Sequence, residues 1–216
     1  AVLCLKDAIK HIPGDSDLVS LYLQAVVANG GPTLELKEAV QALAQFEDDD
    51  LTEVNLSIAR GMLADYRGET DKAVSILRAV CRESDAPLEA YIHIGELLLR
   101  SECVLEARRY LRRAMNSCAD HPKIITLFAK SYLEEGPYYN PEYATQLATV
   151  AAQNCNWQNA EVLATLATSF YESGDKVGAL LMARKAKEIE EQIVGRYRRS
   201  EKLDELLESL SLGTVG

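Results

Sequence analysis

Cys118 and His121 stand three residues apart, a spacing at which a thiolate and an imidazole can share a zinc ion. A closed tetrahedral site needs four ligands, and no second pair completes it, so these two read as a helix-end thiol beside a turn histidine. His11 and His93 lie near no serine or cysteine in a catalytic pattern. The chain has neither a phosphate-cradling glycine loop nor a dinucleotide fingerprint. Asn55-Leu56-Ser57 has the form of a glycosylation acceptor, but it falls where a helix should start. Two charge runs remain. Glu47-Asp48-Asp49-Asp50 suits the N-terminus of the helix that follows, where the macrodipole favours negative charge. Arg108, Arg109, Arg112 and Arg113 recur at helical spacing, either as a solvated face paired with nearby glutamates or as a docking patch for an acidic partner. No catalytic residue, metal or cofactor is expected, and the chain is expected not to be an enzyme.

The elements that would carry these side chains are helices. Alanine and leucine are abundant while aromatic residues make up only 6%, which favours close-packed helices over sheet. Most of the six prolines and twelve glycines sit between apolar periodic runs. The net charge of −10 repels phosphate backbones, so nucleic acid is not an expected partner. No stretch approaches the roughly 18 apolar residues that a membrane span requires. Five scattered cysteines, an odd number, make no disulfide framework and suggest a reducing compartment, with a cytoplasmic location expected.

Self-similarity organises these helices. Gly61 and Gly95 lie 34 residues apart, each inside an apolar helical run. Ala39, Ala73 and Ala107 repeat at the same interval, and Ala144 and Ala179 continue the series at steps of 37 and 35. A leucine or alanine follows four residues after each, and an apolar residue three further on. Gly68 and Gly174 each precede their alanine by five residues, where a helix hairpin needs a residue of positive φ. Small residues at Gly61, Gly95, Ala129 and Ala167 would let paired helices approach closely, and stacking would create one continuous core.

The 34-residue period, the small residue in the first helix and the alanine-rich second helix resemble the tetratricopeptide repeat family over nearly the whole chain. The resemblance implies an all-α fold, a right-handed superhelix or α-solenoid of antiparallel helix hairpins. In the register it sets, residues 1–13 form a half repeat, followed by five repeats at about 16–47, 53–84, 88–119, 122–155 and 159–190. Residues 191–216 form a capping helix and tail. The half repeat, with Val2, Leu3, Leu5, Ile9 and Ile12, leads to the expectation that the natural chain continues upstream and that this edge can self-associate.

The resemblance also implies a function: a scaffold or adaptor that binds a peptide or helix of another protein on the concave face lined by first helices. A ligand-responsive sensor is the alternative. Register places Asn55, Ala59, Met62, Glu89, His93 and Glu96 on that face, continued by Lys123, Thr126, Lys130, Glu161, Thr165 and Thr168. The basic clamp with which chaperone adaptors of this fold grip a C-terminal carboxylate does not assemble. The corresponding positions include Gln24, Ala28, Ile58, Met62, Glu89 and His93.

Overall fold

The computed structural model describes residues 2–12, 14–28, 33–46, 54–192 and 205–208. Among them run eleven helices: α1 Val2–His11, α2 Ser16–Ala28, α3 Thr33–Leu43, α4 Val54–Tyr66, α5 Thr70–Val80, α6 Leu88–Arg100, α7 Val104–Ser117, α8 Pro122–Lys130, α9 Pro141–Asn154, α10 Ala160–Glu172 and α11 Lys176–Gln192. A further helical turn covers 205–208, and no strand occurs among the described residues. The chain is all-α and built of tandem helix hairpins. It divides into two compact units, one ending at Leu97 and the other beginning at Leu98, so the boundary falls inside α6.

Local chemistry explains where the helices start. Pro122 and Pro141 open α8 and α9 at positions whose N–H has no helical partner anyway. The side chains of Asn140 and Asn159 accept hydrogen bonds from the amides of Tyr143 and Val162, capping α9 and α10. The ends follow one recurring motif. The amides of Glu69, Cys103, Trp157 and Asp175 each donate to the carbonyl five residues back, at 2.7–2.9 Å, and the residue just before each has positive φ. This is the Schellman turn, and it reverses the chain into the next helix. Gly68 and Gly174 occupy the left-handed position twice, as the sequence predicts; Glu102 and Asn156 occupy it in the other two turns.

The repeating alanines are the packing seam. Ala39, Ala73, Ala107, Ala144 and Ala179 are fully buried, one on each of α3, α5, α7, α9 and α11. In the first unit, α2, α3 and α4 enclose Val19, Leu23, Val26, Leu56 and Leu63, and α1 lays Val2, Leu5 and Ile9 against them. No residue of α1 is itself buried, and Leu3 and Ile12 are exposed. In the α4–α5 hairpin, a Cβ at Gly61 would stand 2.8 Å from Cγ of Leu77, so the absence of a side chain lets the helices close. In the second unit, α8 to α11 enclose Ile125, Ala148, Ala151, Leu163, Leu166 and Ala183, with Leu206 and Leu207 packed on that core. Otherwise the expected capping segment beyond Gln192 lies outside the described residues, as do Pro13 and the Glu47–Asp50 run.

Candidate functional site

In the second unit, α8 and α10 are successive first helices, and Glu161 on α10 joins two lysines of α8. Nζ of Lys123 donates to both carboxylate oxygens, at 2.8 and 2.7 Å, and Nζ of Lys130 to Oε1 at 2.7 Å. Lys123 and Lys130 are seven residues apart, two helical turns, so both ammonium groups reach the same carboxylate from one face of α8. Partial burial pushes the Glu161 carboxyl up, but attraction from Lys130 and Lys123, with the hydrogen bonds from both, outweighs it and brings the group down to about 2. The three side chains are a third or so exposed and carry a net single positive charge.

The threonines predicted for the same face do something else. Thr126 is fully buried and its hydroxyl donates to the Pro122 carbonyl, while Thr165 is buried and donates to the Glu161 carbonyl. A β-branched hydroxyl in a helix closes on its own preceding turn, and these two therefore offer no free polar atom to a partner. Thr168 also donates to its own helix, at the Ala164 carbonyl, but stays partly exposed.

The first unit holds the other half of the predicted set. Asn55, exposed near the start of α4, donates from its side chain to Asp17 on α2 at 2.6 Å, and its carbonyl accepts from the hydroxyl of Ser20 at 2.6 Å. The amide of the formal glycosylation acceptor is thus engaged between two first helices. Met62 is 8% exposed and belongs to the packing rather than to an open face. On α6, Glu89 is exposed, and His93 and Glu96 are partly buried with Nδ1 and Oε2 4.0 Å apart.

The arginine run on α7 departs from a uniformly solvated face. Arg109, Arg112 and Arg113 are exposed, but Arg108 is buried. Its guanidinium carbon lies 3.8 Å from the ring centroid of Tyr132, 4.6 Å from Tyr138 and 5.4 Å from Phe128. Stacking on three rings compensates the lost hydration of a weakly hydrated cation. Its Nη1 is buried without a hydrogen-bond partner. Tyr138 belongs to the long connection between α8 and α9, held by the Asn140 amide on the Tyr132 carbonyl at 2.8 Å and the Tyr139 hydroxyl on Glu172 at 2.7 Å. The Glu172 carboxylate raises the Tyr139 hydroxyl above its ordinary value through that hydrogen bond. Between Tyr138 and α7 opens a cleft of about 450 Å³, lined by the four arginines with Leu105 and Asn116. The arginine spacing was visible in the sequence, whereas the rings that bury Arg108 come from 20 to 30 residues away.

Cys118 and His121 remain a single pair, and among the described residues no group of three or more histidine, cysteine or acidic side chains is placed to hold a metal ion. No described helix is long and apolar enough to cross a membrane.

No family model and no curated relative matches the chain by sequence. Solved structures do match it by shape. A thermophilic tetratricopeptide protein of Thermus thermophilus superimposes with a TM-score of 0.62 at 14% identity, covering 76% of this chain and 84% of that one. A chain of the APC/C hetero-tetramer Cut9-Hcn1 gives 0.77 at 14% identity over 99% of this chain and 40% of that one. YrrB, a tetratricopeptide protein with an unusual peptide-binding site, gives 0.57 at 15% identity over 98% and 100%. The chain therefore has the tetratricopeptide-type α-solenoid fold, at 14–15% identity to these neighbours.

Proposed function

We propose that the chain is a scaffold or adaptor that binds a peptide or helix of another protein along the face of its first helices, with α8 and α10 of the second unit forming a principal contact. The observation that carries this reading is the Lys123–Glu161–Lys130 group. Two ammonium groups held on one carboxylate are fixed in place before a partner arrives, which lowers the ordering cost of binding. An ammonium has three donors, and Lys130 spends one on Glu161, so it has donors left for a peptide carbonyl or carboxylate. That YrrB has a peptide-binding site on this same fold supports the class of function.

Co-purification from the native cell followed by mass spectrometry identifies the partner, and titration calorimetry then compares variants against it. Lys130→Gln is expected to weaken the partner by about tenfold, the loss of a charge-assisted hydrogen bond in a partly desolvated contact. Replacing Lys72, exposed on α5, by glutamine should leave that affinity within about twofold, because an exposed charge is screened. Equal losses in the two variants would move the contact away from α8.

A further inference from the structure

The α7 cleft lies outside the first-helix face and asks for its own explanation. We propose that it is a second docking surface, taking an acidic segment of a partner protein whose carboxylates fall on alternate residues. Charge is the first argument. The chain carries a net −10, yet the cleft is lined by four arginines and no carboxylate. Such a concentration of one sign on an oppositely charged protein attracts a compact anionic group and leaves the rest of the surface to repel a long polyanion.

Preorganisation is the second argument. Arg108 is wedged among Phe128, Tyr132 and Tyr138, and its buried Nη1 has no partner. A buried guanidinium nitrogen left unsatisfied is costly, and a carboxylate in the cleft that shifts the half-exposed Tyr138 ring off the guanidinium would accept from it. Tyr138 is 48% exposed and Leu105 55% exposed, so the walls that an occupant would cover are apolar as well as cationic.

Spacing selects the occupant. Arg108 and Arg109 form one adjacent pair on α7 and Arg112 and Arg113 a second, four residues on, which separates the two pairs by about 6 Å along the helix. Alternate side chains of an extended peptide are about 6.6 Å apart on one face. Two carboxylates on residues i and i+2 therefore meet one arginine pair each, and the residue on the intervening side is free to vary. A single phosphoryl group would gather its charge at one pair and leave the other unanswered.

Fluorescence anisotropy on the full chain tests this with four labelled probes: a peptide with glutamate at alternate positions, an isomer with the same glutamates contiguous, a phosphoserine peptide of equal charge, and a single-stranded RNA oligonucleotide. The alternating peptide should bind saturably and more tightly than the other three. Replacing Arg109 and Arg112 together by glutamine should weaken it about tenfold or more, with helical circular dichroism unchanged. Lys130→Gln should leave it unaltered, which separates this site from the first-helix face. Absence of saturable binding by the alternating peptide overturns the proposal. So does equal affinity in the double arginine variant, equal affinity for the contiguous isomer, or tighter binding of the phosphopeptide or the RNA.

Discussion

A Cβ at Gly61 would meet Leu77 Cγ at 2.8 Å, whereas a Cβ at Gly68 would meet nothing within 4 Å. The two glycines are seven residues apart in one hairpin, and the physical demand on them differs. Gly61 has ordinary helical backbone, so its requirement comes from space. Leu77 is 1% exposed and cannot swing aside, and its burial is worth about 1.5–3 kcal/mol. Gly68 has φ of +78°, so its requirement comes from backbone conformation alone. Gly61→Leu should therefore overpack the α4–α5 hairpin and cost about 1–3 kcal/mol. Gly68→Ala should cost about 1–2 kcal/mol through the left-handed backbone, without disturbing any contact. Urea unfolding of both variants checks the magnitudes. Rescue by trimming Leu77 to alanine separates the causes, because a smaller residue 77 should recover part of the Gly61→Leu loss and none of the Gly68→Ala loss. A Gly61→Leu variant as stable as the parent would mean that α4 and α5 do not approach closely there.

The helix ends carry the same logic to the scale of an element. Four Schellman turns close with the same hydrogen bond, yet only two have glycine at the left-handed position. Glu102 has φ of +59° in the turn between α6 and α7, 34 residues after Gly68, so Glu102→Gly should stabilise the chain by about 0.5–1 kcal/mol. A thermal melt that does not rise would show that the glutamate side chain compensates its own backbone. The period was legible in the sequence because the seam alanines and Gly61 are fixed by close packing, which tolerates few residue types. The turns were only half legible, because hydrogen bonds can hold a glutamate or an asparagine where glycine would be unstrained. The site was less legible still. Lys123, Lys130 and Glu161 were all placed on the first helices by register, but nothing local marks Glu161 as the shared partner of the two lysines. Their separations of 38 and 31 residues are one repeat plus or minus a helical turn, and Asn55 with Asp17 also spans 38, while Ser20 with Asn55 and Tyr139 with Glu172 span 35 and 33, one repeat to within a residue. Searching for opposite charges at that offset would have found the triad. It would not have found the burial of Arg108, which follows Ala107 on the seam and is covered by rings from α8 and an unusually long connection. Thr126 and Thr165 were misleading for a related reason: a polar residue type does not reveal that its hydroxyl closes on its own helix.

At the scale of the whole molecule, acid acts through two effects of opposite sign. The chain carries −10 at neutral pH and its isoelectric point is about 4.9, so lowering the pH from 7 towards 5 relieves self-repulsion and favours the compact state. Glu161 opposes this further down. Its folded carboxyl is held at about 2 against an ordinary 4.5, so the stability it contributes is fully present above about 4.5 and is lost as pH falls through about 2. The Glu161 side chain is 41% exposed, so solvent screening limits that contribution to roughly 1 kcal/mol. The melting curve of the parent alone cannot isolate it, because the charge effect runs through the same range. The difference between parent and Glu161→Gln can, since the other titrating groups are common to both. Thermal melts of the pair should stay separated by a constant few degrees between pH 7 and 5, about 2–4 °C for a chain of this size. The gap should narrow between pH 4.5 and 2 as the parent's carboxylate takes up its proton. A gap that has already closed at pH 4 would mean that Glu161 titrates as an ordinary glutamate and that the two lysines do not grip it in solution. The proposed contact on α8 would then lose its preorganisation, and Lys130→Gln would have correspondingly less effect on the partner.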